Sequence, residues 1–81
     1  MSEQIAKQVH EAIAAKLPDA SIEVTLGTPG HYTIDVTSSA FEGKSLVAKQ
    51  RLVYSAITHL MGGDDAPVHA IDKLHTRLPE A

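Results

Sequence analysis

Two histidines occupy matching places in this sequence, because each opens a segment with a strand-like pattern. His31 opens the second such segment and His69 opens the third. Neighbouring parallel strands begin at the same edge of a sheet, so a parallel arrangement would bring both imidazoles to that edge. Neutral imidazoles bind borderline-soft metal ions, although two rings alone do not complete a tetrahedral site. The pair predicts a metal site completed by ligands from a partner or a small molecule. Two surface histidines without a metal are the alternative, and on spacing alone the commoner case.

Three cations form the other group of candidate binding residues. Lys44, Lys49 and Arg51 follow one another without an acidic residue between them. They could contact phosphate or an acidic partner surface, and a solvated helix face is the alternative. The whole chain has a net charge of −3, so three cations would give weak, salt-sensitive binding to nucleic acid.

No part of the sequence is organised as a catalytic centre. The 81 residues include no cysteine, so a thiolate nucleophile, a thiolate ligand and a disulfide are all excluded. Gly27 and Gly30 flank a loop that leads into a strand, whereas a phosphate-binding loop leads into a helix. No nucleophile-elbow or triad signature accompanies the serine, histidine and aspartate residues. We therefore expect a protein that is not an enzyme.

The spacing of apolar residues predicts the elements that carry the histidines. A first helix has apolar residues at every fourth position: Ile5, Val9, Ile13 and Leu17. Pro18 ends this helix. Residues 21–26 and 31–36 then alternate between apolar and polar, as half-buried strands do, and the loop 27–30 joins them in an antiparallel hairpin.

Two helical segments follow the hairpin. Residues 39–42 fit a capping box that starts at Ser39, with Gly43 as a stop, and this predicts a single helical turn. A second helix is predicted from Ser45 to the glycines at 62–63. Its apolar residues fit one stripe: Leu46, Val53, Ile57, Leu60 and Met61.

A third strand is predicted at residues 68–75, after a loop that contains Asp64, Asp65 and Pro67. A bulge near Asp72 would keep Ile71 and Leu74 on one face of this strand. If Val68 and Ala70 turn toward the core, His69 joins His31 on the polar face.

The element order is α-β-β-α-α-β, and the long helical crossover returns the third strand parallel to the second. We therefore predict one α+β domain over residues 1–81, with a three-stranded mixed sheet covered by helices on one face. The polar, acidic start of the chain is unlike a signal peptide, and no apolar run approaches the roughly 20 residues that span a bilayer. We expect a cytoplasmic protein without membrane association.

Four short motifs together resemble the BolA-like family. They are Gly-His-Tyr at 30–32, Phe-Glu-Gly-Lys at 41–44, Val-Tyr at 53–54 and Val-His-Ala at 68–70. The resemblance covers about residues 5 to 78, nearly the whole chain. It implies a KH-like type II fold, in agreement with the element order.

The resemblance also implies a function. BolA-like proteins pair with monothiol glutaredoxins and share a [2Fe-2S] cluster, to which the glutaredoxin brings a cysteine thiolate and a bound glutathione. The residue that matches the family's histidine ligand is His69. A second histidine or cysteine comes from the hairpin region, where His31 is the best candidate. The implied role is cluster trafficking, maturation or iron sensing, and the chain alone would be a monomer or a weak homodimer.

Some BolA-like proteins are transcriptional regulators of morphology and stress response, which makes DNA binding the alternative. Lys44, Lys49 and Arg51 would then contact DNA at a helix-turn-helix-like corner. Lys-Gln-Arg at 49–51 resembles a bacterial subgroup associated with acid stress and iron–sulfur handling. The Gly-x-x-Gly loop that KH domains use for nucleic acid is missing. Compared with the BolA-like family, the segment from Asp72 to Pro79 is one residue longer than usual. The predicted bulge would accommodate the extra residue.

Overall fold

The computed structural model describes residues 2–62 and 68–79, and its elements follow the predicted order. They are helix α1 (Ser2–Lys16), strands β1 (Ser21–Leu26) and β2 (His31–Thr37), a 3-10 turn (Ser39–Phe41), helix α2 (Leu46–Ile57), a second 3-10 turn (Thr58–Leu60) and strand β3 (Ala70–Arg77). The predicted loop at Asp64, Asp65 and Pro67 lies outside the described residues. In the described part of the chain, no helix is long and apolar enough to cross a membrane.

The three strands form one mixed sheet with β2 in the centre, as predicted. β1 pairs antiparallel with β2, and β3 pairs parallel with β2. Tyr32 lies opposite Ile71 and Thr33 lies opposite Lys73, so Asp72 is an extra residue in β3. The predicted bulge at Asp72 is therefore confirmed. It lets both Ile71 and Leu74 pack against the core.

One face of the sheet is buried under the helices and the other is open. β2 alternates between fully buried and half-buried residues along its length. Its buried side chains join those of α1, α2 and the turns in one core: Val9, Ile13, Leu17, Tyr32, Ile34, Val36, Phe41, Val53, Ile57, Leu60 and Val68. Burial raises the pKa of the Tyr32 phenol. On the open face, Nη2 of Arg77 lies 3.2 Å from Oδ1 of Asp35 in an ion pair.

The turn after β2 is capped differently from the prediction. Ser38, not Ser39, is the N-cap, because its hydroxyl accepts a hydrogen bond from the N–H of Ala40 (3.1 Å). The N–H and hydroxyl of Ser39 instead donate to Oδ2 of Asp19 (3.0 and 2.7 Å), and the Ser38 hydroxyl donates to Oδ1 of Asp19 (2.9 Å). These bonds, those from Ser39 first, lower the pKa of Asp19. The predicted capping box at Ser39 is wrong, because the N–H and the hydroxyl of Ser39 both donate to Asp19 in the α1–β1 loop.

Helix α2 begins where it was predicted, but its apolar stripe is shorter. The Ser45 hydroxyl caps the helix by accepting from the N–H of Ala48 (3.1 Å). Val53, Ile57 and Leu60 are buried, whereas Leu46 is 61% exposed. Leu46 is the first residue of α2, so the exposed end of the predicted stripe is the N-terminal end of the helix.

Candidate functional site

His31 is the first residue of β2 and follows the tight hairpin loop 27–30. Its N–H donates to the carbonyl of Thr28, and its own carbonyl accepts from the N–H of Gly27, both at 2.9 Å. Gly30 has φ of +82°, a conformation that glycine adopts without the steric cost of a Cβ. These constraints fix the backbone of His31, while its side chain remains 41% exposed.

The imidazole of His31 is held by a carboxylate from the neighbouring strand. Its Nδ1 lies 3.0 Å from Oδ1 of Asp72, whose side chain is 49% exposed. Asp72 is the extra residue of the β3 bulge, and bulges commonly re-aim a side chain in this way. The apolar pattern of β3 predicts a bulge near Asp72 but gives no indication of the contact between Asp72 and His31. The predicted parallel pairing carries that signal, since the start of β2 and the bulge lie side by side in a parallel pair.

His69 lies one residue before β3, against Gly30. The N–H of His69 donates to the carbonyl of Gly30 (2.8 Å), and the N–H of Ala70 donates to the same carbonyl (3.1 Å). The His69 ring packs so closely on Gly30 that a Cβ added there would lie 2.9 Å from its Cγ. His69 is nevertheless exposed to solvent, so its ring is positioned without being enclosed.

The condition under which His69 would join His31 on the polar face holds for one neighbour of His69 and not for the other. Val68 is fully buried, and its N–H donates to the carbonyl of Leu60 (3.1 Å). Ala70 does not turn inward, because the register pairs it with His31 on the polar side of the sheet. The two histidines are instead brought to the same edge through Gly30, which precedes His31 in the chain and contacts His69 in space.

This edge carries two candidate metal ligands, the imidazoles of His31 and His69. Within residues 2–62 and 68–79, no three His, Asp or Glu side chains converge on a point that could hold a metal ion. An imidazole whose Nδ1–H donates to a carboxylate presents the other nitrogen, Nε2, as a ligand, and such support is typical of metal-binding histidines. His31 meets that requirement, and His69 is exposed and packs against Gly30, the residue before His31. The described residues therefore fit a metal-containing group to which this chain contributes imidazole nitrogens and not a complete set of ligands.

The three candidate nucleic-acid contacts differ in their exposure and in the side of the helix from which they project. Lys44 and Arg51 are exposed, whereas Lys49 is half-buried. Lys49 and Arg51 are two residues apart on α2, and residues at that spacing do not face each other on a helix. In the described part of the chain, no hydrogen bond or ion pair joins any of the three side chains to His31 or His69.

Comparison with known proteins gives a consistent result. The family model for BolA-like protein matches residues 19–81. A human protein, BolA-like protein 1, is 42% identical over 53 residues, which are 65% of this chain and 36% of the human one. This chain thus spans little more than a third of the length of that relative.

A bacterial sequence and a solved structure match over more of their length. The uncharacterized protein in the rpoN-murA intergenic region of Acinetobacter guillouiae is 31% identical over 65 residues, 80% of this chain and 75% of that protein. The crystal structure of a Bol-like protein from Babesia bovis aligns with a TM-score of 0.75 and 31% identity, and covers 91% of this chain and 84% of that one. The arrangement of two helices on a three-stranded mixed sheet is thus shared with this structure.

Proposed function

The chain belongs to the BolA-like family, and from this membership and the geometry around Gly30 we propose that it is an adaptor for a monothiol glutaredoxin. In the proposed complex the two proteins share a [2Fe-2S] cluster. The family is generally non-enzymatic, and the proposal assigns this chain no catalytic step. The observation that carries the proposal is the position of the His69 imidazole. It is exposed and packs on Gly30, the residue that precedes His31 in the chain.

His69 is suited to be the main ligand because its backbone is fixed while its ring can be reached. Two hydrogen bonds join the N–H groups of residues 69 and 70 to the carbonyl of Gly30. Val68, the residue before His69, is buried in the core. A ligand held this way loses little conformational freedom when it binds, which favours association.

His31 supplies the second ligand of the proposal. Its Nδ1 is engaged by Asp72, so Nε2 is the nitrogen left for a metal. The chain has no cysteine, so thiolate ligands come from the glutaredoxin cysteine and its glutathione. Imidazole ligation, as in Rieske centres, raises the reduction potential of a [2Fe-2S] cluster relative to all-thiolate ligation. The proposed role is therefore cluster trafficking, maturation or iron sensing in the cytoplasm.

The experiment is anaerobic reconstitution of the chain and a monothiol glutaredoxin with iron, sulfide and glutathione. We expect the visible circular dichroism of the glutaredoxin cluster to change when this chain is added, and the change to be lost with His69→Ala. His75→Ala is the matched control, because His75 is an exposed histidine in β3, the strand that follows His69. A spectrum indifferent to the wild-type chain, or equal losses in the two variants, would contradict the proposal.

We do not extend the proposal to DNA binding. Lys49 is half-buried, Arg51 projects from another side of α2, and the net charge is −3. Binding to phosphate backbones relies on several cations presented together, which this arrangement does not provide.

A further inference from the structure

We propose that Asp72 is a positioning residue that holds His31 in the tautomer with its free lone pair on Nε2, the nitrogen that would bind a metal. The inference rests on the proposed function for its purpose, but the hydrogen bond that carries it belongs to this chain alone. Its starting point is the irregularity in β3: Ile71 and Lys73 pair with successive residues of β2, and Asp72 has no partner of its own in the register.

The bulge places the Asp72 carboxylate against the hairpin loop. Oδ1 lies 3.0 Å from Nδ1 of His31. Oδ2 faces Gly27, where an added Cβ would be 3.6 Å away. Bulges in parallel strand pairs are rare, and this one brings a carboxylate to one of the two candidate ligands. The bulge thus does two things: it keeps Leu74 on the core side and it gives His31 a hydrogen-bond acceptor.

The chemistry of the pair fixes the proton. An ionised carboxylate only accepts hydrogen bonds, so the Nδ1 of His31 must carry the hydrogen in this contact. In neutral imidazole the other nitrogen, Nε2, then carries the lone pair. The same bond restrains rotation of the ring, whose side chain is otherwise 41% exposed. Carboxylate partners of this kind typically contribute 10–100-fold to metal affinity.

The direct test is the tautomer of His31 in the isolated chain, read from its ring ¹⁵N chemical shifts by NMR. We expect the Nδ1–H form in the wild type and a shift toward the Nε2–H form in Asp72→Ala. Asp35→Ala is the matched control, because it removes the same charged group from the same sheet and leaves the His31 contact intact. A wild-type His31 in the Nε2–H form, or an unchanged tautomer in Asp72→Ala, would overturn the inference.

A second measurement links the tautomer to ligand binding. The chain is titrated into cluster-loaded glutaredoxin, and the spectral change gives an apparent affinity. We expect about a 10-fold or greater loss in Asp72→Ala, little loss in Asp35→Ala, and no additional loss when Asp72→Ala is combined with His31→Ala. A full additional loss in the His31→Ala background would show that Asp72 does not act through His31, and an unchanged affinity in the single variant would show that it positions nothing.

The two proposals fail in different ways. If the wild-type chain does not bind cluster-loaded glutaredoxin, the proposed function is wrong, while the NMR measurement still decides whether Asp72 sets the His31 tautomer. If binding occurs and the tautomer is indifferent to Asp72, the proposed function stands and the positioning role is refuted.

Discussion

Replacing Gly30 by alanine tests the contact on which the position of His69 depends. Gly30 has φ of +82°, and its Cα is covered by the His69 ring. A methyl group at this place must therefore adopt an unfavourable backbone conformation and also displace the imidazole. Gly43 offers a matched control, because its φ is +75° and nothing lies within 4 Å of an added Cβ.

The two contributions have different sizes and can be separated. A left-handed conformation costs an L-residue roughly 1–2 kcal/mol, and Gly43→Ala should lose only that amount. Gly30→Ala adds the cost of inserting a methyl group into a packed contact, roughly 1–3 kcal/mol. We therefore expect a total loss of about 2–5 kcal/mol at Gly30, which is a large part of the roughly 4–12 kcal/mol expected for a domain of this size.

Urea unfolding followed by circular dichroism measures both losses. With a slope of about 1 kcal/mol per molar urea, the low end of the range for small proteins, the midpoint of Gly30→Ala should fall roughly 1–3 M below that of Gly43→Ala. A His69→Ala background removes the two ring atoms nearest to the added methyl group and keeps the His69 Cβ at 3.2 Å, so the excess cost at Gly30 should shrink. Equal losses for the two glycine variants, or an excess that persists without the His69 ring, would refute the reasoning.

Two further predictions concern other parts of the chain. Asp19→Asn should destabilise the protein at neutral pH, because hydrogen bonds from Ser39 and Ser38 lower the pKa of Asp19 below its ordinary value of 3.8. The stabilisation from these bonds is present above pH 3.8 and is lost as the pH falls through the lowered pKa. The urea midpoints of wild type and variant should therefore converge in acid and stay apart above about pH 5. A variant with both Lys49→Ala and Arg51→Ala should bind duplex DNA about as weakly as a control variant with both Lys7→Ala and Lys16→Ala. Fluorescence anisotropy across a salt series measures both affinities. A steep, salt-dependent loss of affinity confined to the Lys49 and Arg51 variant would restore the DNA-binding alternative.

The spacing of apolar residues and the types of residue in the turns were sufficient to predict the order of the elements and the topology of the sheet. The alternation in β2 and the spacing of the α1 apolar residues predict which faces are buried, because burial is a local property of each element. The bulge at Asp72 was predictable for the same reason: Ile71 and Leu74 cannot reach one face without an extra residue between them.

Contacts between distant segments were harder to predict. Asp19 takes the donors of Ser39 from twenty residues away, and no local pattern distinguishes that arrangement from a capping box. Leu46 fits the apolar stripe of α2 but is exposed. Helical periodicity indicates which residues share a face and not how far along the helix that face is buried. At the candidate site, the sequence predicted that both histidines lie at one edge, but not that Gly30 joins them or that Asp72 binds His31. Those contacts depend on the register between β2 and β3, which pairs His31 with Ala70.

The central claim is that imidazole nitrogens of this chain bind the iron of a cluster shared with a glutaredoxin. The most direct measurement is pulsed electron paramagnetic resonance of the reduced complex, assembled from this chain labelled with ¹⁵N at histidine and an unlabelled glutaredoxin. We predict ¹⁵N hyperfine couplings of directly bound nitrogens, with one coupling lost in His69→Ala and the other in His31→Ala. A complex whose cluster shows no ¹⁵N coupling from this chain would contradict the account.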